Sequence, residues 1–227
     1  MITSLAFLDE IRLVDVIEVL GTITFAISGV RLASAKKIDW FGAFVVGFVT
    51  AVGGGTVRDL LLSVTPFWLH NSLYLWCTIF AMVFVNLFRK YLVHLNNTFF
   101  WFDTFGLSLF VVVGVEKTLM LGYPAWVIII MGTVTGVLGS VIRDILINEI
   151  PLVFTAELYA VACVIGGAVF CALDHMGVNI TANEIITAST VVLIRVVATK
   201  YNIHLPALKG EEKDDGDNTR SQESLKR

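Results

Sequence analysis

The chain carries one pattern twice, 85 residues apart (58 to 143), and this internal repeat restricts the fold more than any other feature. The segment GGGTVRDLLL, residues 53–62, aligns without a gap on LGSVIRDILI, residues 138–147. The same offset places Pro66 on Pro151 and Tyr74 on Tyr159, together with several pairs of glycines. A match of this extent indicates that the chain contains two copies of one structural unit.

The composition determines the solvent for which these units are built. Apolar residues make up 56% of the chain, charged residues only 15%, and the mean hydropathy is +0.81. A soluble domain of this length would carry far more polar surface. Windows of about 20 apolar residues, enough to span a bilayer, occur at 14–33, 39–62, 71–92, 101–121, 124–147, 154–173 and 180–200. We therefore predict an all-α integral membrane protein with seven transmembrane helices.

The number of helices in each copy decides how the copies are related. Three helices per copy is an odd number, so the second copy must enter the membrane from the opposite side. The sequence thus predicts two inverted three-helix repeats, 14–92 and 101–173, followed by a seventh helix at 180–200. Residues 1–13 form an N-terminal segment, and the polar tail 205–227 has too few apolar residues to order itself.

Basic residues between the predicted helices indicate the orientation. The richer face carries Arg31, Lys36, Lys37, Arg89, Lys90, Arg143 and Lys200, and the poorer face Arg12, Arg58 and Lys117. Because cytoplasmic loops carry the excess of Lys and Arg, the N-terminus is expected outside and the C-terminus in the cytoplasm. The first residues lack the pattern of a cleaved signal peptide, and we expect a multi-pass protein of the cell (inner) membrane.

Glycines mark the middle of the repeated motif. Gly53, Gly54 and Gly55 in the second span, and Gly139 with Ser140 in the fifth, are expected to kink helices beside a polar cavity. The glycines also belong to stripes of small residues at helical spacing, which in membranes let helices pack closely. Packing explains the stripes equally well, but it does not explain why each stripe ends in an arginine.

Charged residues inside spans are the second candidate feature, because such charges usually face a cavity or a partner. The candidate pore-lining polar residues are Arg58, Asp59, Arg143, Asp144, Glu18 and Asp103. Either Glu18 or Asp59 can pair with Arg58, and by symmetry either Asp103 or Asp144 with Arg143. The alternative is that the arginines extend to the interface and hold helix ends. Arg195 in the seventh span is expected to do so.

Several function classes lack any signal. The sequence has no nucleophile–base arrangement, no metal-ligand spacing and no nucleic-acid motif or basic patch. Its three cysteines lie in apolar stretches, as buried small side chains do. We predict neither an enzyme nor a cofactor, metal or nucleic-acid partner.

The paired motifs GGGTVRD and GSVIRD, in seven spans with inverted repeats, resemble the prokaryotic branch of the trimeric intracellular cation (TRIC) channel family. The resemblance covers residues 13 to 200. It implies a homotrimer surrounded by membrane lipids, with one pore in each protomer between spans 1, 2, 4 and 5. The pore would pass monovalent cations, K⁺ above all and Na⁺ as a second permeant ion. Lys117 matches a lysine that the family associates with gating.

Two alternatives to a channel remain open at this point. Prokaryotic relatives of that family are also described as glycine transporters, and a secondary carrier for glycine or another small zwitterion would use the same broken helices. A membrane protein with a purely structural role is the third possibility. Saturable uptake would distinguish the carrier, and a stability change without a flux change the structural protein.

Overall fold

A computed structural model describes residues 12–94, 98–155 and 158–203, with the side chains of 89–94 and 155 left aside. These residues form α-helices, short 3-10 turns and loops, with no strand among them, and the all-α class is confirmed. The helices are α1 (Leu13–Ala35), α2 (Trp40–Leu61), α3 (Leu73–His94), α4 (Thr98–Met120), α5 (Ala125–Leu146), α6 (Leu152–Thr155), α7 (Tyr159–His175) and α8 (Ile180–Lys200); a 3-10 turn covers Phe67–Leu69.

Five helices, α1, α2, α4, α5 and α8, are long and apolar enough to cross a membrane. The apolar parts of the other two, Leu73–Phe88 of α3 and Tyr159–His175 of α7, are shorter. The chain is therefore a multi-pass membrane protein, and the count of seven spans stays a prediction. The segment 1–11 and the tail from residue 204 lie outside the described residues, as do the side chains of Arg89 and Lys90 used for the orientation.

The main difference from the predicted spans is at the sixth, which was expected to begin at residue 154. Instead, α7 begins at Tyr159, because Pro151 is followed by the separate short helix α6. The first copy has the same feature, where Pro66 is followed by the 3-10 turn before α3 begins. Proline favours such restarts, since its fixed φ suits the first turn of a helix.

Contacts between the copies give their relative direction. Glu18, near the start of α1, accepts a hydrogen bond from Lys117, near the end of α4. At the other end of the bundle, Ser28 in the second half of α1 bonds Arg143, which also reaches Asp103 near the start of α4. The first helices of the two copies therefore run antiparallel, as the inverted repeat predicts.

Close packing at glycines holds the two copies together where α2 crosses α5. A Cβ atom on Gly54 would overlap the carbonyl oxygen of Thr135, and one on Gly139 would overlap the equivalent oxygen of Thr50. Thr50 and Thr135 are themselves 85 residues apart, so the crossing repeats the same contact in both directions. Small residues that allow backbones to touch replace, in lipid, the hydrophobic driving force available to soluble proteins.

Candidate functional site

Two clusters of charged side chains lie at opposite ends of the bundle formed by α1, α2, α4 and α5. The first cluster comprises Glu18, Arg58, Asp59, Tyr74 and Lys117, and the second comprises Ser28, Asp103, Arg143, Asp144 and Arg195. Together they contain all seven charged residues that the sequence predicts for the pore and its gate.

The repeated Arg–Asp motif has the same geometry in both clusters. The Nε atom of Arg58 donates to Oδ1 of Asp59 at 2.8 Å, and Arg143 makes the same bond to Asp144 at 2.8 Å. The other oxygen of each aspartate accepts a backbone N–H just beyond the following proline, from Phe67 at 2.9 Å in the first copy. Each aspartate thus neutralises its arginine and also fixes the turn that follows its helix.

The first cluster is completed by a lysine from the other copy. Glu18 accepts hydrogen bonds from Nζ of Lys117 at 2.5 Å and from the hydroxyl of Tyr74 at 3.0 Å. The Lys117 side chain is 26% exposed, and its Nζ lies 5.0 Å from the centre of the Phe67 ring. Arg58 is fully buried, and its Nη1 has no hydrogen-bond partner among the described residues. This cluster therefore has one exposed cation and one open donor.

The second cluster is buried throughout. Nη1 of Arg143 donates to Oδ1 of Asp103 at 2.7 Å and to the Ser28 hydroxyl at 2.8 Å. Arg195 of α8 places Nη2 3.8 Å from the other oxygen of Asp103, and its guanidinium lies 4.5 Å from the centre of the Tyr159 ring. The expectation that Arg195 extends to the interface is wrong, because α8 packs against α4 and α7 and turns this side chain inward, where it is 3% exposed.

The pairings left open by the sequence are thereby resolved, and they differ between the copies. Arg58 pairs with Asp59, whereas Arg143 pairs with both Asp144 and Asp103. Glu18, the counterpart of Asp103, pairs instead with Lys117. The second arrangement lies wholly within one copy apart from Ser28 and Arg195, while the first joins the two copies.

Helices α2 and α5 run without a break through the predicted kink residues. Gly54 and Gly139 lie at the helix crossing, and a Cβ atom on Gly55 would come within 2.5 Å of the Phe67 ring. Ser140 donates to the carbonyl of Val137 at 2.7 Å and accepts from the Tyr159 hydroxyl at 2.9 Å. These residues are thus tightly packed, and kinks at Gly53–Gly55 and Gly139 stay a prediction.

An aromatic pair, Phe25 of α1 and Phe110 of α4, separates the clusters. Its ring centres are 5.2 Å apart, and both side chains are buried. Each ring lies against a glycine of the opposite helix, Phe25 on Gly106 and Phe110 on Gly21. Along α1 the pair lies between Glu18 and Ser28, at the middle of the helix. This central aromatic pair thus separates the polar ends of the bundle with apolar surface.

Sequence reasoning missed the central aromatic pair and the roles of the two tyrosines. One phenylalanine among many in an apolar helix gives no local signal. The repeat itself contained the signal, since Phe25 and Phe110 are 85 residues apart (110 − 25), as are Tyr74 and Tyr159. Among the described residues, no three His, Cys, Asp or Glu side chains are grouped so that they could hold a metal ion.

Comparison with known proteins gives one family and a consistent set of relatives. A family model described as "Glycine transporter" matches twice, at residues 15–90 and 100–175, with the same offset of 85 (100 − 15) as the repeat. A UPF0126 membrane protein of Vibrio cholerae is 40% identical over 203 residues, covering 87% of this chain and 83% of its own. The UPF0126 inner membrane protein YadS of Escherichia coli K12 is 36% identical over 202 residues, covering 86% and 96%.

Solved structures with the same fold are cation channels. A chain from work on conductance through TRIC cation channels has a TM-score of 0.80 and 32% identity, covering 88% of this chain and 99% of that one. The TRIC trimeric intracellular cation channel orthologue from Rhodobacter sphaeroides has a TM-score of 0.78 and 32% identity, covering 84% and 98%. The match extends over nearly the full length of both structures.

Proposed function

The chain belongs to the membrane-protein family described as Glycine transporter, with TRIC channels as its structural relatives, and from this premise we propose that it is a cation channel. In this proposal each protomer of a homotrimer contains one K⁺-permeable pore, which also admits Na⁺. The pore runs between α1, α2, α4 and α5, and α2 and α5 form its centre. The observation that carries the proposal is the pair of buried, equivalent Arg–Asp clusters on one path through the bundle.

The charge balance of the clusters supports cation passage. The first cluster contains two cations, Arg58 and Lys117, and two carboxylates, Glu18 and Asp59. The second contains two arginines and two aspartates. A buried arginine without a carboxylate would repel a passing cation, whereas a neutral cluster does not. Polar side chains then offer oxygens that replace part of the hydration shell of the ion.

Lys117 is the proposed gate. It is the exposed member of the first cluster, and it is held by a single carboxylate rather than by a network. When its ammonium group leaves Glu18, the cluster gains a net negative charge at the entrance of the pore. That charge attracts cations, so the same movement opens the path and fills it.

Opening also requires the glycine crossing and the central aromatic pair to yield. The propensity of glycine to leave helical geometry makes Gly53–Gly55 and Gly139 the proposed hinges of α2 and α5. Movement of α5 would also release Ser140 from Tyr159. For the membrane arrangement, we propose the N-terminus outside the cell, the C-terminus inside, and the first cluster at the outer end.

A carrier for glycine is the second candidate, and one observation favours it. Arg58 has a buried donor atom, Nη1, with no hydrogen-bond partner among the described residues. Such a donor can bind the carboxylate of a zwitterion, while Glu18, freed from Lys117, can bind its ammonium group. The description of the family agrees with this possibility.

Flux measurements on reconstituted protein separate the two functions. Purified protein in K⁺-loaded liposomes is given an outward gradient, and cation efflux is followed beside uptake of radiolabelled glycine. A channel gives rapid K⁺ efflux without glycine accumulation, and Arg58→Ala changes the rate while Lys36→Ala, which removes the same charge from a loop, does not. Saturable glycine uptake with little K⁺ efflux would refute the channel, and light scattering of the detergent complex tests the trimer.

A further inference from the structure

An open cleft between α1, α2 and α3 lies apart from both charged clusters. Its volume is about 240 Å³, and its walls include Ser34, Lys37, Trp40, Met82 and Asn86. We call it the lysine cleft. It opens at the end of the bundle where α1 passes into α2, beside exposed Trp40.

Three polar side chains of the lysine cleft have no partner in the described part of the protein. Ser34, Lys37 and Asn86 make no hydrogen bond or ion pair there. The other charges nearby are engaged, since Lys36 pairs with Glu149 and the Asp39 carboxylate caps α2 by accepting the Gly42 N–H at 2.7 Å. Lys37 is therefore the cation of the cleft that is available to a ligand.

The position of Asn86 is unusual for the surface on which it lies. It is exposed on α3, next to Leu87 and Phe88, which are 70% and 44% exposed. A helix face of this composition is built to meet lipid, where an unpaired amide is unfavourable. A polar ligand in the cleft would satisfy that amide.

The backbone at Lys37 gives independent support. Lys37 has φ of +57°, the left-handed conformation in which glycine is favoured, and it follows the last turn of α1, where Ile38 N–H bonds the Ala33 carbonyl. Its counterpart in the second copy is Gly122, with φ of +77°. The fold therefore needs glycine here, and the first copy holds a lysine in a conformation unfavourable for side chains.

The second copy contains the equivalent cleft without this polarity. A cavity of about 220 Å³ lies between α4, α5 and α7, with Leu119 and Cys171 in its walls. These residues are the counterparts of Ser34 and Asn86. Because the second copy forms the same cleft from apolar residues, packing does not explain the polar residues of the lysine cleft.

We propose that the lysine cleft binds the headgroup of an anionic phospholipid. The Lys37 ammonium, the Asn86 amide and the Ser34 hydroxyl all donate hydrogen bonds, as a phosphate requires. Trp40 is 61% exposed and sits at the level where aromatic side chains meet headgroups. Met82 and the apolar face of α3 offer a surface for the acyl chain. In the orientation proposed above, the cleft opens to the cytoplasmic leaflet, which carries the anionic lipids.

Lipid retention tests the proposal without any flux measurement. Wild type, Lys37→Gly and Lys36→Gln are each purified in neutral detergent, titrated with phosphatidylglycerol or phosphatidylcholine, and analysed by native mass spectrometry and thermal unfolding. The two variants lose the same charge, and Lys37→Gly adopts the residue of the second copy, so it is expected to fold at least as well as wild type. Asn86→Leu serves as a second variant that leaves the charge unchanged.

The expected result is a loss of phosphatidylglycerol affinity confined to the cleft. One basic residue near an anionic headgroup contributes about 1 kcal/mol, or about fivefold in affinity. Lys37→Gly should lose this factor, Asn86→Leu should also weaken binding, and Lys36→Gln should bind as wild type does. Equal binding by all four proteins overturns the proposal. So does a change of oligomeric state in Lys37→Gly without a change in lipid affinity, which would assign the cleft to a neighbouring subunit.

Discussion

Replacing Asp103 with asparagine should destabilise the fold far more than replacing its counterpart Glu18 with glutamine. Both changes remove one carboxylate charge from the same position of the repeat. They differ in what they leave behind. Asp103 is fully buried between the guanidinium groups of Arg143 and Arg195, whereas Glu18 faces the partly exposed Lys117.

The magnitude follows from the burial of the remaining cations. Without Asp103, Arg143 keeps Asp144, but Arg195 loses the carboxylate 3.8 Å away and cannot reach water. Leaving one member of a buried ion pair uncompensated costs about 3–5 kcal/mol. Without Glu18, Lys117 can turn toward solvent, and exposed pairs contribute only about 0–1 kcal/mol. At about 2–4 °C per kcal/mol for a chain of this size, Asp103→Asn should lower the unfolding temperature by ~10 °C, against a few degrees for Glu18→Gln.

Thermal unfolding in one detergent, followed by near-UV circular dichroism, measures both variants. A third protein, Asp103→Asn with Arg195→Met, removes one uncompensated cation and should recover part of the loss. Equal shifts for the two single variants, or no recovery in the double variant, would refute the assignment of the second cluster as a sealed ion network.

Three further perturbations test other parts of the structure. Gly54→Ala should destabilise the protein by about 2–3 kcal/mol in the same unfolding assay, since its Cβ meets a backbone oxygen at the helix crossing. Gly53→Ala, whose nearest atom is the flexible Ile142 Cδ1 at 3.1 Å, should be neutral or slightly stabilising, and equal losses would contradict the crossing. Lys117→Ala should raise open probability in single-channel recordings and flatten its voltage dependence; unchanged gating would remove Lys117 from that role. Phe110→Ala should increase K⁺ conductance several-fold, while Phe170→Ala, buried in α7 away from the central aromatic pair, should not; similar conductances in the two variants would refute a barrier at that pair.

The sequence predicted the helices and the repeat because both depend on local and periodic information. Apolar runs give spans regardless of their neighbours, and an offset of 85 survives without any knowledge of packing. The Arg58–Asp59 pair was one of two predicted options, since adjacent residues at a helix end are always within reach. What bonds Glu18 could not be predicted, because Lys117 approaches it only after α1 and α4 have packed.

The same limit applies to the residues that were interpreted wrongly or missed. Arg195 lies near a helix end, where an arginine usually reaches the interface, and only the packing of α8 turns it inward. The glycines of α2 suggested flexibility, yet Gly54 is placed by the backbone it touches. Which of these uses a glycine serves depends on the neighbouring helix, which no local pattern describes.

The cross-copy bond between Glu18 and Lys117 has a consequence for how the protein is made. The two residues are separated by 99 positions, so α1 enters the membrane long before its counter-ion is synthesised. During that interval Glu18 has only the Tyr74 hydroxyl of its own copy as a partner. Asp103, in contrast, meets Arg143 as soon as α5 follows α4. The first half of the chain is therefore an unfinished folding intermediate with a buried carboxylate awaiting neutralisation, and a ribosome that stalls after α3 would leave a fragment suited to recognition by membrane quality control.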